Sequence, residues 1–186
     1  MDFAYESLLA AAKELNQNGI TSVSDAGGYW PQGHHQAWAR AEAEDTLTVR
    51  ASNAFYIYPD RPLDEQLAEL RKLYNNDPER LVRFNQAKIY VDGILSQATG
   101  ALLEPYEKTA PLVQGRDKGY LYFPEDALKN AARELSAAGF QLHFHVTGDA
   151  AARLALDAIA EADPKPGPHR LTHLYLVDPA DYPRFK

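Results

Sequence analysis

The feature that most constrains this chain is a repeated switch of period. Short β-prone runs, most of them ending in glycine or a polar residue, alternate with stretches whose apolar residues recur at helical spacing. Such alternation predicts a parallel α/β architecture, because each helix carries the chain back to the end of the sheet where the next strand must start. Tyr5, Leu8, Leu9, Ala12 and Leu15 predict an opening helix that stops at Asn18-Gly19, where glycine accepts the left-handed conformation. Strands are expected over residues 20–23, 47–55, 84–91, 141–146 and 171–176, the first breaking into a polar loop at Asp25-Ala26-Gly27-Gly28. Helices are expected over about 63–74, 125–138 and 149–162, with another opening at Asp178-Pro179. The leucines 63, 67, 70 and 73 form one stripe, and Gly139 stops the helix before it. Between the third strand and Phe123 lie about thirty residues of mixed loop, longer than ordinary connections and read as substrate-facing. Residues 163–168 read as a Pro-rich connector.

The choice is between a barrel and an open sheet. No strand is followed by GxGxxG or GxxxxGK[ST], which removes the best support for a nucleotide-binding open sheet. With 186 residues, 45% hydrophobic and 11% aromatic, the chain can bury a real core. A complete (β/α)8 barrel typically needs about 250 residues. The expected fold is therefore an incomplete parallel (β/α) barrel of TIM type, about five strands of eight. Residues 1–186 then form a partial barrel domain that lacks the first and last strands. Nineteen basic against 26 acidic residues, a net charge of −7, give no general footprint for nucleic acid or an anionic membrane. Without cysteine, any metal must be held by nitrogen and oxygen. Residues 1–18 carry Asp2, Glu6, Lys13 and Glu14 and read as neither signal peptide nor membrane span, so a cytoplasmic location is expected.

Three residues stand out chemically. In Leu142-His143-Phe144-His145-Val146-Thr147-Gly148-Asp149 a strand runs into a helix start, and alternation puts His143 and His145 on one face. His145 lies nearer the carboxyl end, where barrel active sites sit. A hydrogen-bonded core histidine is the competing explanation. His173 falls on the next strand, where sharing a face with Leu171 is expected to let it converge with His145. Two imidazoles suit zinc and related metals. Lys88 shares its strand face with Tyr90 and Asp92. Its charge is costly to bury, so it either pairs with Asp92 or Glu104 or sits as a neutral amine. A neutral amine can add carbon dioxide to give a carbamate, an anionic oxygen ligand.

Gly19-Ile20-Thr21-Ser22-Val23-Ser24-Asp25-Ala26-Gly27, Lys88-Ile89-Tyr90-Val91-Asp92-Gly93 with Ala101-Leu102-Leu103-Glu104-Pro105-Tyr106, His145-Val146-Thr147-Gly148-Asp149 and Arg170-Leu171-Thr172-His173 follow one another in an order that resembles the amidohydrolase superfamily. More narrowly, the chain is similar to the branch containing N-substituted formamide deformylase, over nearly its whole length. The resemblance implies a distorted barrel with a small β-sandwich built from flanking sequence, a divalent metal site, most simply one or two zinc ions, and hydrolysis of amide or other C–N bonds. It matches Lys88 to a carboxylatable lysine, and His145 and His173 to two histidine ligands. A bound ion would lower the pKa of water from about 15.7 towards roughly 7 and polarise the scissile carbonyl.

Departures accompany the matches. Relatives supply an HxH pair from the first barrel strand and an aspartate from the last, and neither is present here. His143-Phe144-His145 has the HxH letters at the later histidine position, and His34-His35 is expected in a loop. Thr172 stands where many relatives have glutamate, and Gln97 where an arginine is common. Asp25 and Asp149 are candidates for holding ligands from behind, with a turn role and a helix N-cap as the alternatives. Tyr90, Asp92, Gln97 and His143 could line a pocket, and Tyr106 and Tyr120 could cover substrate. The leading expectation is a fragment of a metal-dependent amidohydrolase acting on a small molecule, not catalytically competent alone. The alternatives are a non-catalytic α/β binding or interaction module, or an ordinary open sheet that would hold the histidine strands apart. Exposed sheet edges are expected to favour self-association.

Overall fold

The computed structural model describes residues 2–107, 116–162 and 168–185. Most of the Pro-rich connector, residues 163–167, lies outside them. The elements in chain order are α1 (Asp2–Gln17), β1 (Ser22–Gly28), α2 (His34–Ala43), β2 (Arg50–Tyr56), α3 (Leu63–Leu73), β3 (Val82–Tyr90), α4 (Glu125–Ala137), β4 (Gln141–Val146), α5 (Asp149–Glu161) and β5 (Arg170–His173). Short 3-10 helices span Trp30–Gln32, Leu95–Gln97 and Pro179–Arg184. The strands form one sheet in the order β1-β2-β3-β4-β5. Consecutive parallel strands that lie side by side, each followed by a crossover, are the arrangement of part of a (β/α) barrel. A doubly wound sheet reverses its order at a switch point, and no such reversal occurs among these strands.

The chain divides into two compact units, Met1–Tyr56 with Ala68–Ala87, and Ile57–Leu67 with Lys88–Lys186. In the first, α1 buries Tyr5 and Ala12 and ends at Gly19, whose φ of +73° bears out the expected glycine stop. β1 is longer than expected. Asp25 and Ala26, read as a turn, pair in parallel register with Asn53 and Ala54 of β2, and the irregularity falls only between Ala26 and Gly28, at Gly27 with φ +128°. Ladder hydrogen bonds here override local turn propensity. α2 was not expected, and it places His34 and His35 on a helix rather than a loop. Its buried residues are only Ala37 and Ala41, too slight an apolar stripe to betray a helix. Phe55 and Phe84 stack at 5.7 Å within this unit's core.

In the second unit β4 is buried along nearly its whole length, as expected for a strand covered on both faces. α4 lays Leu128, Ala131, Ala132 and Leu135 towards the core, and α5 lays Ala151, Ala152, Leu154, Ala155 and Ala158 there. Alanine on α5 lets the two neighbouring helices approach closely. The 3-10 helix Pro179–Arg184 is tied to α5 by Arg153, 2.8 Å from the buried Asp181 carboxylate, which also accepts from Arg184 at 3.0 Å. Asp178 opens this helix as expected, accepting the Ala180 amide at 2.8 Å.

Candidate functional site

Lys88 of β3, His145 of β4 and His173 of β5 belong to the second unit and come together near the carboxyl ends of their strands. Lys88 is only 3% exposed. Its ammonium donates to Thr172 Oγ1 at 3.1 Å and lies 5.3 Å from the centre of the Tyr90 ring. It forms no ion pair with Asp92 or Glu104, among the described residues. Burial lowers its pKa to about 8, because removing a cation from water favours the neutral amine.

The ring of His145 stacks on Tyr90 at 4.5 Å and meets the edge of His173 at 4.4 Å. Its Nε2 is 2.9 Å from the Gly93 carbonyl oxygen. A carbonyl can only accept, so Nε2 carries the proton and the neutral ring keeps its lone pair on Nδ1. Burial lowers the pKa of this imidazole, with the bond to Gly93 acting in the opposite sense. His143, on the same face and 3% exposed, has its pKa lowered to about 4 by burial first, then by Lys88, Arg170 and His173.

His173 reaches the site by a route that alternation does not predict. The parallel register pairs His145 with Thr172, and Val146 with His173, so the β-strand pattern alone would put Thr172 on the face of His145 and send His173 away. His173 instead has φ +78° and Leu174 has φ +46°, two consecutive non-glycine residues in the left-handed region. This turn ends β5 at His173 rather than at the expected residue 176, and swings the imidazole back towards His145. The segment is held there by Leu174 N to Val146 O at 2.9 Å and Leu176 N to Thr147 O at 3.1 Å.

The loop after β3 is anchored by Asp92, which is fully buried. Its carboxylate accepts the amides of Ala101, Thr147 and Gly148, each at 2.9 Å. The Thr147 hydroxyl lies 3.0 Å from the same carboxylate and 2.9 Å from the Gly93 carbonyl. Asp92 thus acts on the site through Gly93, whose carbonyl orients His145. Gly148 must be glycine, because a Cβ there would stand 2.0 Å from the Ala101 carbonyl oxygen. Asp149 Oδ1 accepts Leu103 N and Ala150 N at 2.9 Å, fastening the same loop to the start of α5. The Tyr106 hydroxyl donates to Gly100 O at 2.8 Å, and Gln97 is exposed in its 3-10 helix. Asp25 belongs to the first unit, where its carboxylate accepts from Trp38 Nε1 at 2.9 Å. Sequence reasoning missed two groups that orient the candidate ligands, Thr172 Oγ1 and the Gly93 carbonyl. The first was legible only from register, and the second is backbone.

Among the described residues no group of three or more His, Cys, Asp or Glu side chains is placed to hold a metal ion, and no helix is long and apolar enough to cross a membrane. The profile of the Amidohydrolase family matches residues 4–186, so the chain belongs to that family. It is similar to the Exoenzymes regulatory protein AepA of Pectobacterium carotovorum, 25% identical over 183 residues that make up 97% of this chain and 37% of that protein. YtcJ of Bacillus subtilis, whose assigned name is that of an amidohydrolase, is 31% identical over 115 residues, 61% of this chain and 20% of its own length. Two crystal structures of uncharacterized metal-dependent hydrolases share the fold over 97% of the chain. That from Pyrococcus horikoshii has a TM-score of 0.76 at 20% identity, that from Pyrococcus furiosus 0.75 at 24%, and the chain covers 34% and 35% of them. The chain therefore spans between 20% and 37% of the length of these relatives.

Replacing Asp92 by Ala leaves its buried amide donors without an acceptor, and is expected to cost about 3–5 kcal/mol in urea unfolding. Relief of the left-handed backbone should make His173→Gly more stable than His173→Ala by about 1 kcal/mol in the same assay. For Lys88 the unfolded amine titrates near ~10.4 and the folded one near about 8. Between those values the unfolded chain holds the extra proton, so this group makes stability rise with pH, and below about 8 its full penalty, up to roughly 3 kcal/mol, applies. In carbon-dioxide-free buffer Lys88→Met should therefore be more stable than the parent by roughly 1–3 kcal/mol at pH ~7, an advantage that shrinks by pH ~10.

Proposed function

We propose that this chain supplies part of the metal-holding site of a hydrolase that cleaves amide or other C–N bonds of a small molecule, in the branch resembling N-substituted formamide deformylase. The observation that carries this reading is the convergence of Lys88, His145 and His173, with the two imidazoles 4.4 Å apart beside a desolvated amine. Their donor chemistry fits a divalent cation, zinc by preference. His145 keeps its lone pair on Nδ1 while Gly93 fixes the ring from the other side, an arrangement common to histidine ligands. His173 offers a second imidazole. Lys88 is an oxygen donor only after modification: its neutral amine adds to carbon dioxide, a C–N bond forms, and a proton leaves to solvent. A cation held there would supply Lewis acidity towards a water and a scissile carbonyl. Tyr90, stacked on His145, holds the plane of that ring.

The HxH pair and water-activating aspartate implied by the resemblance are not among these residues, so the 186-residue chain is proposed to be catalytically silent by itself. A cytoplasmic location goes with this reading. The terminal positions of β1 and β5 in the sheet support the expected self-association. The second reading, a non-catalytic binding module, is favoured by the lack of three His, Cys, Asp or Glu ligands in one group among the described residues. It also suits the regulatory name borne by AepA.

Elemental analysis and calorimetric zinc titration in bicarbonate buffer separate the two. The first reading expects stoichiometric zinc, with Lys88→Ala, His145→Ala and His173→Ala each weakening binding at least about tenfold, or roughly 1.4 kcal/mol. Zinc binding untouched by all three substitutions would sink the ligand assignment, and failure of the parent chain to bind zinc would favour the module.

A further inference from the structure

We propose that Thr172 is a positioning residue that sets the orientation of a carboxylated Lys88, an inference that rests on the carbamate reading above. The Thr172 hydroxyl lies between a carbonyl, which can only accept, and the nitrogen of Lys88. It donates to the Phe144 carbonyl oxygen at 3.0 Å, and Lys88 Nζ stands 3.1 Å from it on another side. A hydroxyl has one proton, and a carbonyl can take part only as acceptor, so the proton of Thr172 is committed to Phe144. Towards Lys88 the same oxygen presents lone pairs alone.

That polarity is met by any form of Lys88 that bears an N–H. An ammonium has three such bonds, a neutral amine two, and a carbamate one. Addition of the amine to carbon dioxide forms one C–N bond and releases one proton to solvent, so the remaining N–H can keep its bond to Thr172. The carbamate is planar through amide-like resonance. Fixing its single N–H on Thr172 therefore fixes the plane of its two oxygens and directs them away from the hydroxyl. Thr172 immediately precedes His173 and is the register partner of His145, so one short segment orients the carbamate and carries one of the imidazoles. A side chain of the same shape without the hydroxyl would leave the carbamate N–H facing a methyl group and the Phe144 carbonyl without its side-chain donor.

The test is 13C NMR of the full 186-residue chain equilibrated with 13C-labelled bicarbonate, with and without zinc chloride, for the parent and for Thr172→Ser, Thr172→Val, Thr172→Ala and Lys88→Ala. Circular dichroism shows which variants fold, and alanine substitutes for valine should valine not fold. The expected result is a carbamate resonance in the parent and in Thr172→Ser, absent from Lys88→Ala, whose occupancy falls at least about tenfold in Thr172→Val or Thr172→Ala. Full occupancy in the folded valine or alanine variant, or a serine variant as depleted as they are, overturns the role of Thr172 and leaves the carbamate reading standing. No Lys88-dependent resonance in the parent under either condition overturns both.

Discussion

The site depends on one buried anion. Asp92 is removed from water, and an isolated carboxylate in such a place costs several kcal/mol even after the surroundings relax. Three backbone amides and the Thr147 hydroxyl are arranged around it, and hydrogen bonds to a charged acceptor contribute roughly 1.5–3 kcal/mol each. The sign of the balance is set by near saturation: a carboxylate has about four lone-pair positions, and here three amides address it, with the single Thr147 hydroxyl proton shared between it and the Gly93 carbonyl. The start of α5 at Asp149 adds the positive end of a helix dipole. The loop after β3 and the turn after β4 therefore behave as one piece, and the rest of the site is built on that piece.

From this anchor the chemistry of His145 follows. The loop brings the Gly93 carbonyl to Nε2, which decides the tautomer and leaves Nδ1 as the only lone pair of the ring. Stacking on Tyr90 fixes the plane of the same ring. His173 comes in through backbone strain, because its strand would otherwise aim it at the opposite face. Non-glycine residues in the left-handed region cost of order 1–3 kcal/mol each, and two stand in succession here. Hydrogen bonds from Leu174 and Leu176 back to the β4 end hold the turn against that cost. Strain kept at the mouth of a strand is what a site needs when the required direction is not one a β-strand can offer.

The sequence revealed the repeat because periodicity is a local property. Strand β4 and helices α4 and α5 lie within about a residue of their expected bounds, since alternating and helical apolar spacing, Gly139 and Gly148 all act within a few positions. Helix α2 escaped because an apolar face of two alanines carries almost no periodic signal, and β1 was cut short because Asp25 to Gly28 have turn propensity that only pairing with β2 overrides. At the site, Lys88, His145 and His173 were legible as residues, but the direction of His173 was not. Parity with Leu171 does not aim His173 inward, and the left-handed turn does. Residue type announces possible chemistry, whereas a positive φ at a non-glycine residue leaves no mark in composition or spacing.

The electrostatics of the second unit also separate two groups that strand parity joins. Lys88 and Asp92 share a strand face in sequence, and an ion pair between them would satisfy both, yet Asp92 is consumed by backbone amides. Lys88 is left with a neutral hydroxyl and an aromatic face, neither of which offsets a buried positive charge as a carboxylate would. Protonation therefore costs this amine more than it would in water, and its pKa falls to about 8. A carbamate at the same atom would reverse the sign of the problem, placing an anion near the imidazoles of His143 and His145, whose burial disfavours their charged forms. A cation beside it would stabilise that anion. Carboxylation and cation binding would then favour one another by the same free energy, because coupling between two ligands of one site is reciprocal.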